Sequence, residues 1–175
     1  FGAGGNGGAA TAYGSAVYLI DIADGGKVLK KIDVADKAGN KVVNSVIASV
    51  VPVTPDTTST ANYKGALVYF ADFESKLWKL NLTNKGTMYQ LQQLFDGEAT
   101  ENNGRRVFHD VTLSLDDNSD LWAFFGTGDR YNIADEDPKI KNRILAIKDT
   151  NYPSFKSGVS SITAAKCKNV TSAGA

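Results

Sequence analysis

The chain has 175 residues, and its 19 basic residues balance 19 acidic ones. This balance leaves no overall field that would steer the protein to nucleic acid or to an anionic membrane surface. Hydrophobic residues make up 42% and charged residues 22% of the sequence, as in an ordinary globular protein. No apolar run approaches the roughly 18 residues that a membrane-spanning helix needs, so we expect no membrane span.

Cys167 is the single cysteine of the sequence. A disulfide within the chain and a zinc site built from thiolates are therefore excluded. Two interpretations of Cys167 remain. It is a buried thiol with no chemical role, as free cysteines commonly are, or it pairs with a cysteine in a part of the protein outside this sequence.

The two ends differ in composition from the middle. Residues 1–14 are rich in glycine and alanine and indicate a flank or linker. Residues 15–150 carry the strand signals, and residues 151–175 predict an irregular segment that ends or continues the same domain. Because both ends look arbitrary, we expect a fragment of a longer protein, or a chain whose sheets another polypeptide completes.

The first strand signals form a hairpin, "AVYLIDIADGGKVLKKIDV". Ala16–Ile22 is rich in branched and aromatic residues, Asp24-Gly25-Gly26 favours a turn with positive φ, and Lys27–Val34 returns. The run "NSVIASVVPVT" follows, which is apolar enough to predict a strand buried on both faces. Pro52 and Pro55 end it.

A second hairpin, "ALVYFADFESKLWKLNL", places Ala66–Ala71 and Leu77–Leu82 on either side of a turn at 72–75. The run "MYQLQQLF" predicts a polar outer strand beside it. The pattern then begins again with "RVFHDVTLSL", "LWAFFGTG" and "NRILAIKD". No amphipathic helix of useful length is predicted.

The repetition of these units predicts the fold class. Trp78 and Trp122 are 44 residues apart, which is close to the roughly 40–50 residues of one propeller blade. We therefore predict an all-β chain that forms a partial β-propeller of about two to three antiparallel four-stranded blades. A sandwich is less favoured because the units repeat.

The segment "SLDDNSDLW" offers candidate metal ligands. Asp116, Asn118 and Asp120 have the 1, 3, 5 spacing of an oxygen-ligated calcium loop. Leu121 stands where such a loop has glycine, and Thr127 where it has glutamate. The alternative is an Asx-rich hairpin turn whose side chains cap their own backbone. An acidic loop at 129–141 could add ligands, with Asp129, Asp135, Glu136 and Asp137.

Other residue patterns predict structure rather than catalysis. The sole histidine, His109, cannot supply a multi-histidine metal site, and no serine lies in a strand-turn-helix nucleophile elbow. A set of aromatic residues on alternating strand positions predicts core packing: Tyr69, Phe70, Phe73, Trp78, Trp122, Phe124 and Phe125. Gly126 and Gly128 lack the helix that a phosphate loop requires and predict a positive-φ corner instead.

Three of these stretches resemble motifs of one protein family, the PilY-type (neisserial PilC-type) adhesins at the tip of type IV pili. One of them, "NRILAIKDTN", is similar to the family's "tfYgiwD" strand after an acidic loop. "ALVYFADFESKLWKLNL" is similar to the family motif "vYaGDl.GnlWrfdl". "LWAFFGTGDRYN" is similar to the motif "vvfFGTGkyl". The matching residues are Val68, Tyr69, Asp72, Leu77, Trp78, Lys79 and Leu80 in the first, and Phe124, Phe125, Gly126, Thr127, Gly128 and Tyr131 in the second.

The resemblance covers roughly residues 14–150 and implies a quinoprotein-like propeller from a secreted or cell-surface protein. It implies a non-enzymatic role in pilus assembly, adhesion to host or abiotic surfaces and twitching motility, with minor pilins or the pilus tip as partners. Family members often carry an Asp-rich calcium loop before the first motif. Here that stretch is "TPDTTSTANYKG", whose only carboxylate is Asp56.

Two other functions remain open. A quinoprotein-type dehydrogenase would need a tryptophan-lined quinone pocket and a carboxylate-ligated metal, and this sequence displays neither pattern. A generic extracellular propeller scaffold would bind a partner other than a pilus, since propellers host many functions.

Overall fold

The computed structural model describes residues 1–2, 14–34, 45–55, 64–98, 106–128 and 142–168. Within these residues the chain is all-β, as predicted, with one short 3-10 helix at Ala164–Lys166. None of the described helices is long and apolar enough to span a membrane. The strands are Ala16–Asp21 (β1), Lys27–Asp33 (β2), Val51–Val53 (β3), Leu67–Ala71 (β4), Leu77–Asn81 (β5), Leu91–Asp96 (β6), Thr112–Leu115 (β7), Leu121–Gly126 (β8), Ile144–Asp149 (β9) and Ile162–Thr163 (β10).

The strands form three sheets in the described residues. β1 and β2 make a two-stranded sheet, and β7-β8-β9 make a three-stranded one. The central sheet has the order β10-β6-β5-β4-β3, so four consecutive strands form an antiparallel meander. β10 joins its edge in parallel with β6, through two residues. The structure thus adds a fifth, parallel strand from residues 151–175, where the sequence predicts an irregular segment.

The first hairpin has the predicted turn. Gly25 and Gly26 adopt φ of 62° and 84°, which side chains with a Cβ rarely tolerate. The Asp21 carboxylate accepts hydrogen bonds from the backbone N–H groups of Ala23 and Asp24, at 2.9 and 3.3 Å. This capping satisfies turn donors that the ladder cannot reach.

The central hairpin β4–β5 is buried along its whole length. Its two faces contact different layers. One face carries Val68, Phe70, Trp78 and Leu80, which cluster with Val17 and Ile32 of the first hairpin. The other face carries Leu67, Tyr69, Ala71 and Leu77, which cluster with Leu121, Ala123, Phe125 and Ile147 of the three-stranded sheet. The central sheet is therefore the middle of three layers.

Three strand predictions are corrected in position or length. The apolar run at residues 45–54 forms a strand only over Val51–Val53, and Pro52 is exposed, so the prediction of burial on both faces is wrong. Upstream of β3, Val46 and Ser45 bond to Gly14 and Phe73 rather than to a neighbouring strand. In the same way β6 begins at Leu91, and residues 106–111 precede β7 without strand structure.

The aromatic set is core only in part. Tyr69, Phe70, Trp78 and Phe125 are buried. Phe124 is 38% exposed, which contradicts its prediction as a core residue. The reason is the strand period of two: Phe125 faces the central sheet and Phe124 faces outward.

Replacing Phe125 with alanine tests this placement. Its ring packs edge-on against Phe95, with centroids 5.9 Å apart. We expect Phe125→Ala to lower the free energy of unfolding by about 3–5 kcal/mol, as for a buried phenylalanine. The neighbouring Phe124→Ala is the matched control and should change it by about 0.5 kcal/mol or less. Denaturant unfolding measures both, and equal losses would contradict the assigned facing of β8.

Candidate functional site

A carboxylate organises the turn between β4 and β5. Asp72 Oδ1 accepts the backbone N–H groups of Glu74 and Lys76, at 2.9 and 3.0 Å. Its Oδ2 accepts the indole N–H of Trp78 at 2.7 Å. Ser75 completes the turn at φ of 64°, and its N–H donates to the Asp72 carbonyl.

The turn between β7 and β8 repeats this arrangement. Asp116 Oδ1 accepts the N–H groups of Asn118 and Asp120 at 2.9 and 3.0 Å, and Oδ2 accepts the Trp122 indole at 2.8 Å. Ser119 also has φ of 64°. We call residues 72–78 and 116–122 the two Asp–Trp turns. Strand pairing beyond the turns is equivalent as well, since Phe70 pairs with Trp78 as Ser114 pairs with Trp122.

The two turns differ in their surroundings. Asp72 and Trp78 are 0% and 1% exposed, because the first hairpin covers that face. The face that bears Trp122 is open: Phe124 and Ile144 on it are 38% and 89% exposed. Thr112, Ser114, Ala146 and Lys148 pair with these strands on the same side. We call this surface of β7-β8-β9 the outer face.

The predicted calcium ligands lie in the second Asp–Trp turn. Both carboxylate oxygens of Asp116 are held by N–H donors, which is the Asx turn that we gave as the alternative. The Asp120 carboxylate forms an ion pair with Lys148. In the described part of the chain no group of three acidic, histidine or cysteine residues could hold a metal ion. The acidic residues at 129–137 lie outside the described residues, as does Asp56, and the calcium site stays a prediction.

A buried polar cluster connects the central sheet to the three-stranded sheet. Asp149, at the end of β9, accepts the Tyr69 hydroxyl at 2.7 Å and the Lys79 amine at 2.6 Å, both on Oδ2. Its Oδ1 accepts the N–H of Asn151 at 3.0 Å. Lys79 also donates to the Ser154 carbonyl at 2.7 Å. We call Tyr69, Lys79 and Asp149 the cross-sheet cluster.

Burial controls the electrostatics of this cluster. Tyr69 and Lys79 are both 0% exposed. Burial lowers the pKa of Lys79 because it penalises the ammonium, while Asp149 opposes that effect. Burial, followed by the charge of Asp149, raises the pKa of Tyr69, so the hydroxyl keeps its proton. The rings of Tyr69 and Phe155 lie 5.9 and 5.8 Å from the amine.

An open groove of about 330 Å³ runs along β6 beside the segment 157–161. It is lined by Gln90, Leu91, Gln92, Gln93, Ser157, Gly158, Val159 and Ser161. Among the residues that the structure describes, neither side-chain amide atom of the buried Gln92 has a hydrogen-bond partner. The groove is polar, and sequence patterns gave no signal for it.

The region around the single histidine is surface structure. His109 and Asp110 are exposed. The Asp110 carboxylate accepts the backbone N–H of Ser49 at 2.6 Å. Arg106 packs on an aromatic face, with its guanidinium carbon 4.9 Å from the centroid of the Phe73 ring. Arg105 lies outside the described residues.

The glycines of the Gly-Thr-Gly stretch do not have the predicted conformation. Gly126 is the last residue of β8, and neither it nor Gly128 has positive φ. The backbone N–H groups of Thr127 and Gly128 donate to the backbone carbonyls of Arg143 and Arg106, so the chain stays extended beyond β8. The prediction of a positive-φ corner is therefore wrong.

Cys167 is half-buried and packs against the hydrophobic core between the central and the three-stranded sheet. Burial raises the pKa of its thiol, so the unreactive protonated form is favoured. This placement agrees with the interpretation of a packed thiol, and a bond to a cysteine outside this sequence stays untested.

One Asp–Trp turn is buried and the other is partly exposed. Removal of the aspartate carboxylate should therefore lower the free energy of unfolding by different amounts in the two turns. Asp72→Ala leaves the Trp78 indole and two backbone N–H groups buried without an acceptor. We expect it to lower the free energy of unfolding by about 3 kcal/mol. Asp116→Ala is the matched control, and its loss should be clearly smaller because water reaches that turn. Similar losses in denaturant unfolding would contradict the argument.

The second turn also predicts a pH dependence. The hydrogen bond from Trp122, followed by that from the Asp120 backbone, lowers the pKa of Asp116. A lowered folded-state pKa gives stability that is present above the ordinary aspartate pKa and lost as the pH falls through the lowered value. In an NMR titration, the chemical shift of the Trp122 indole N–H should change with pH, with a midpoint below the ordinary pKa of aspartate. A midpoint at or above that pKa would contradict the bond.

No protein-family model, no curated protein and no solved structure matches this chain. The resemblance to PilY-type adhesins therefore stays a prediction that depends on the quoted motif residues. What the structure adds is where those residues lie: Asp72 and Trp78 in a buried turn, and Phe124 and Phe125 on opposite faces of β8.

Proposed function

We propose that this chain is part of an extracellular, pilus-associated protein and acts as a non-enzymatic interaction module. The proposal rests on the resemblance of two motifs to PilY-type pilus-tip adhesins and on one structural observation. That observation is the outer face, on which the apolar side chains of Phe124 and Ile144 are exposed.

The internal repeat supports a binding role for the outer face. The equivalent face of β4–β5 is covered by a β-hairpin that contributes Val17 and Ile32. Trp122 and Phe124 occupy the positions of Trp78 and Leu80 in the second unit. An exposed surface of this kind favours contact with another apolar protein surface. The proposed occupant is a β-structured polypeptide, with minor pilins at the pilus tip as the partner.

The partial propeller is part of the same proposal. Three stacked sheets, one with a four-stranded meander, suit successive blades. The two Asp–Trp hairpins meet through like faces, because Tyr69 and its equivalent Leu113 both face the shared core. In a propeller, by contrast, equivalent strand pairs of two successive blades contact each other through opposite faces. The two hairpins would therefore take different strand positions in their blades.

Co-sedimentation with purified type IV pili tests the function. The intact chain should pellet with the pili, and Phe124→Lys should weaken this binding at least tenfold, which is about 1.4 kcal/mol. Leu29→Lys is the matched control, since Leu29 lies on β2 and is 50% exposed. Thermal melting of both variants verifies that they are folded.

Two results would contradict the proposal. The first is a wild-type chain that stays in the supernatant with pili. The second is an equal loss of binding in the Leu29 variant, which would remove the outer face as the contact. Binding to an abiotic surface without binding to pili would favour the generic scaffold.

A further inference from the structure

The cross-sheet cluster has the geometry of a reactive site. Lys79 on β5 and Asp149 at the end of β9 are 0% and 3% exposed, and 2.6 Å separates the amine from Oδ2. They are 70 residues apart in sequence and belong to different sheets. Lys79 shares a strand with Leu77, and Asp149 pairs with Leu121, and both of these leucines belong to the core between the two sheets.

Such a site brings an amine and a carboxyl group together away from water. Removing both charges from water is costly, so the uncharged pair, reached by moving one proton from Nζ to the carboxylate, gains weight with burial. An uncharged amine has a free lone pair and is a nucleophile, whereas an ammonium is not. An uncharged carboxyl carbon accepts a nucleophile more readily than a carboxylate. Fixed contact between the two groups replaces a collision in solution.

We propose that Lys79 and Asp149 become joined by an amide bond within the folded chain, an intramolecular isopeptide cross-link between the central and the three-stranded sheet. The modification needs no cofactor and no oxidant, since it is a condensation. The ammonium and carboxylate together become one amide and one water molecule.

The contacts assign a role to each atom. The Nζ lone pair forms a bond to Cγ of Asp149, and the bond from Cγ to Oδ2 breaks. Oδ2 leaves as water with two protons that began on the ammonium. Oδ1 remains as the amide oxygen, and the N–H of Asn151, at 3.0 Å, stabilises the negative charge that develops on it.

Tyr69 and Ser154 complete the site. The Tyr69 hydroxyl donates to Oδ2 at 2.7 Å and holds that oxygen in place beside the Lys79 amine, which supplies both protons of the leaving water. The Ser154 carbonyl accepts from Nζ at 2.7 Å and holds the amine in place. Tyr69 and Ser154 are therefore positioning residues, Tyr69 for the leaving oxygen and Ser154 for the nucleophile.

The neighbouring ion pair provides an internal comparison. Lys76 and Glu74 are each 2% exposed and also lie 2.6 Å apart. They are two residues apart within one turn, whereas Lys79 and Asp149 connect two sheets. The proposal assigns the cross-link to Lys79 alone, so Lys76 is the matched control for substitution.

Intact-mass measurement of the full chain under denaturing conditions tests the proposal directly. The wild-type mass should be lower than the sequence mass by one water, and proteolysis should release one branched peptide that contains Lys79 and Asp149. Lys79→Arg should have its full sequence mass, whereas Lys76→Arg should still lack one water. A wild-type chain at full sequence mass overturns the proposal, whether or not any variant folds. A water lost elsewhere, shown by the peptide map, overturns it equally.

The role of Tyr69 has its own measurement. Tyr69→Phe keeps the ring and removes the hydroxyl. Compared at equal times after synthesis, we expect the cross-linked fraction of this variant to lag behind that of the wild type. Thermal melting verifies that the variant is folded at the temperature used. Equal cross-linked fractions in the two proteins at every time would overturn the role assigned to Tyr69. The cross-link itself is tested separately, by the mass of the wild-type chain.

Discussion

The burial of the hairpin β4–β5 on both faces is the constraint on which the structure depends. All ten of its residues are buried, although the hairpin includes a lysine and an asparagine. A buried polar group is costly unless it is hydrogen-bonded. Asn81 bonds the Thr83 hydroxyl and the carbonyls of Lys85 and Thr87, and Lys79 bonds Asp149. Each polar residue of the hairpin thus organises a turn or a neighbouring layer.

The two Asp–Trp turns show which parts of this structure are local. Asp116 makes the same three bonds in a partly exposed turn that Asp72 makes in a buried one, and the distances differ by at most 0.1 Å. All acceptors and donors lie within six residues, so the turn needs no cover to form. Whether another sheet packs on the outward side of the hairpin decides instead what that side contacts. In the first unit it packs against another sheet, and in the second it carries the exposed Phe124.

The sequence predicts local structure here far better than long-range contacts. Alternation and turn residues located the hairpins at β1–β2, β4–β5 and β7–β8, because those signals arise from neighbouring residues. The repeat of aspartate and tryptophan six residues apart was available as a signal for the shared turn. The contact of Lys79 with Asp149 was not, since it depends on how two sheets stack. The exposure of Phe124 was missed for the same reason: alternation gives two faces and does not say which one is covered.

The cross-sheet cluster fixes the relative position of the two sheets, which the apolar contacts between them cannot do. Leu77, Phe95, Leu121 and Phe125 can pack in several relative positions of two sheets at little difference in free energy, because hydrophobic contact is non-directional. A buried amine and carboxylate that are not in register would both remain unpaired, which is far more costly. The equivalent of Lys79 in the second unit is Ala123, so the two like faces are complementary rather than identical. This asymmetry selects one stacking of the central sheet on the three-stranded sheet, and the outer face is the surface that this stacking leaves exposed.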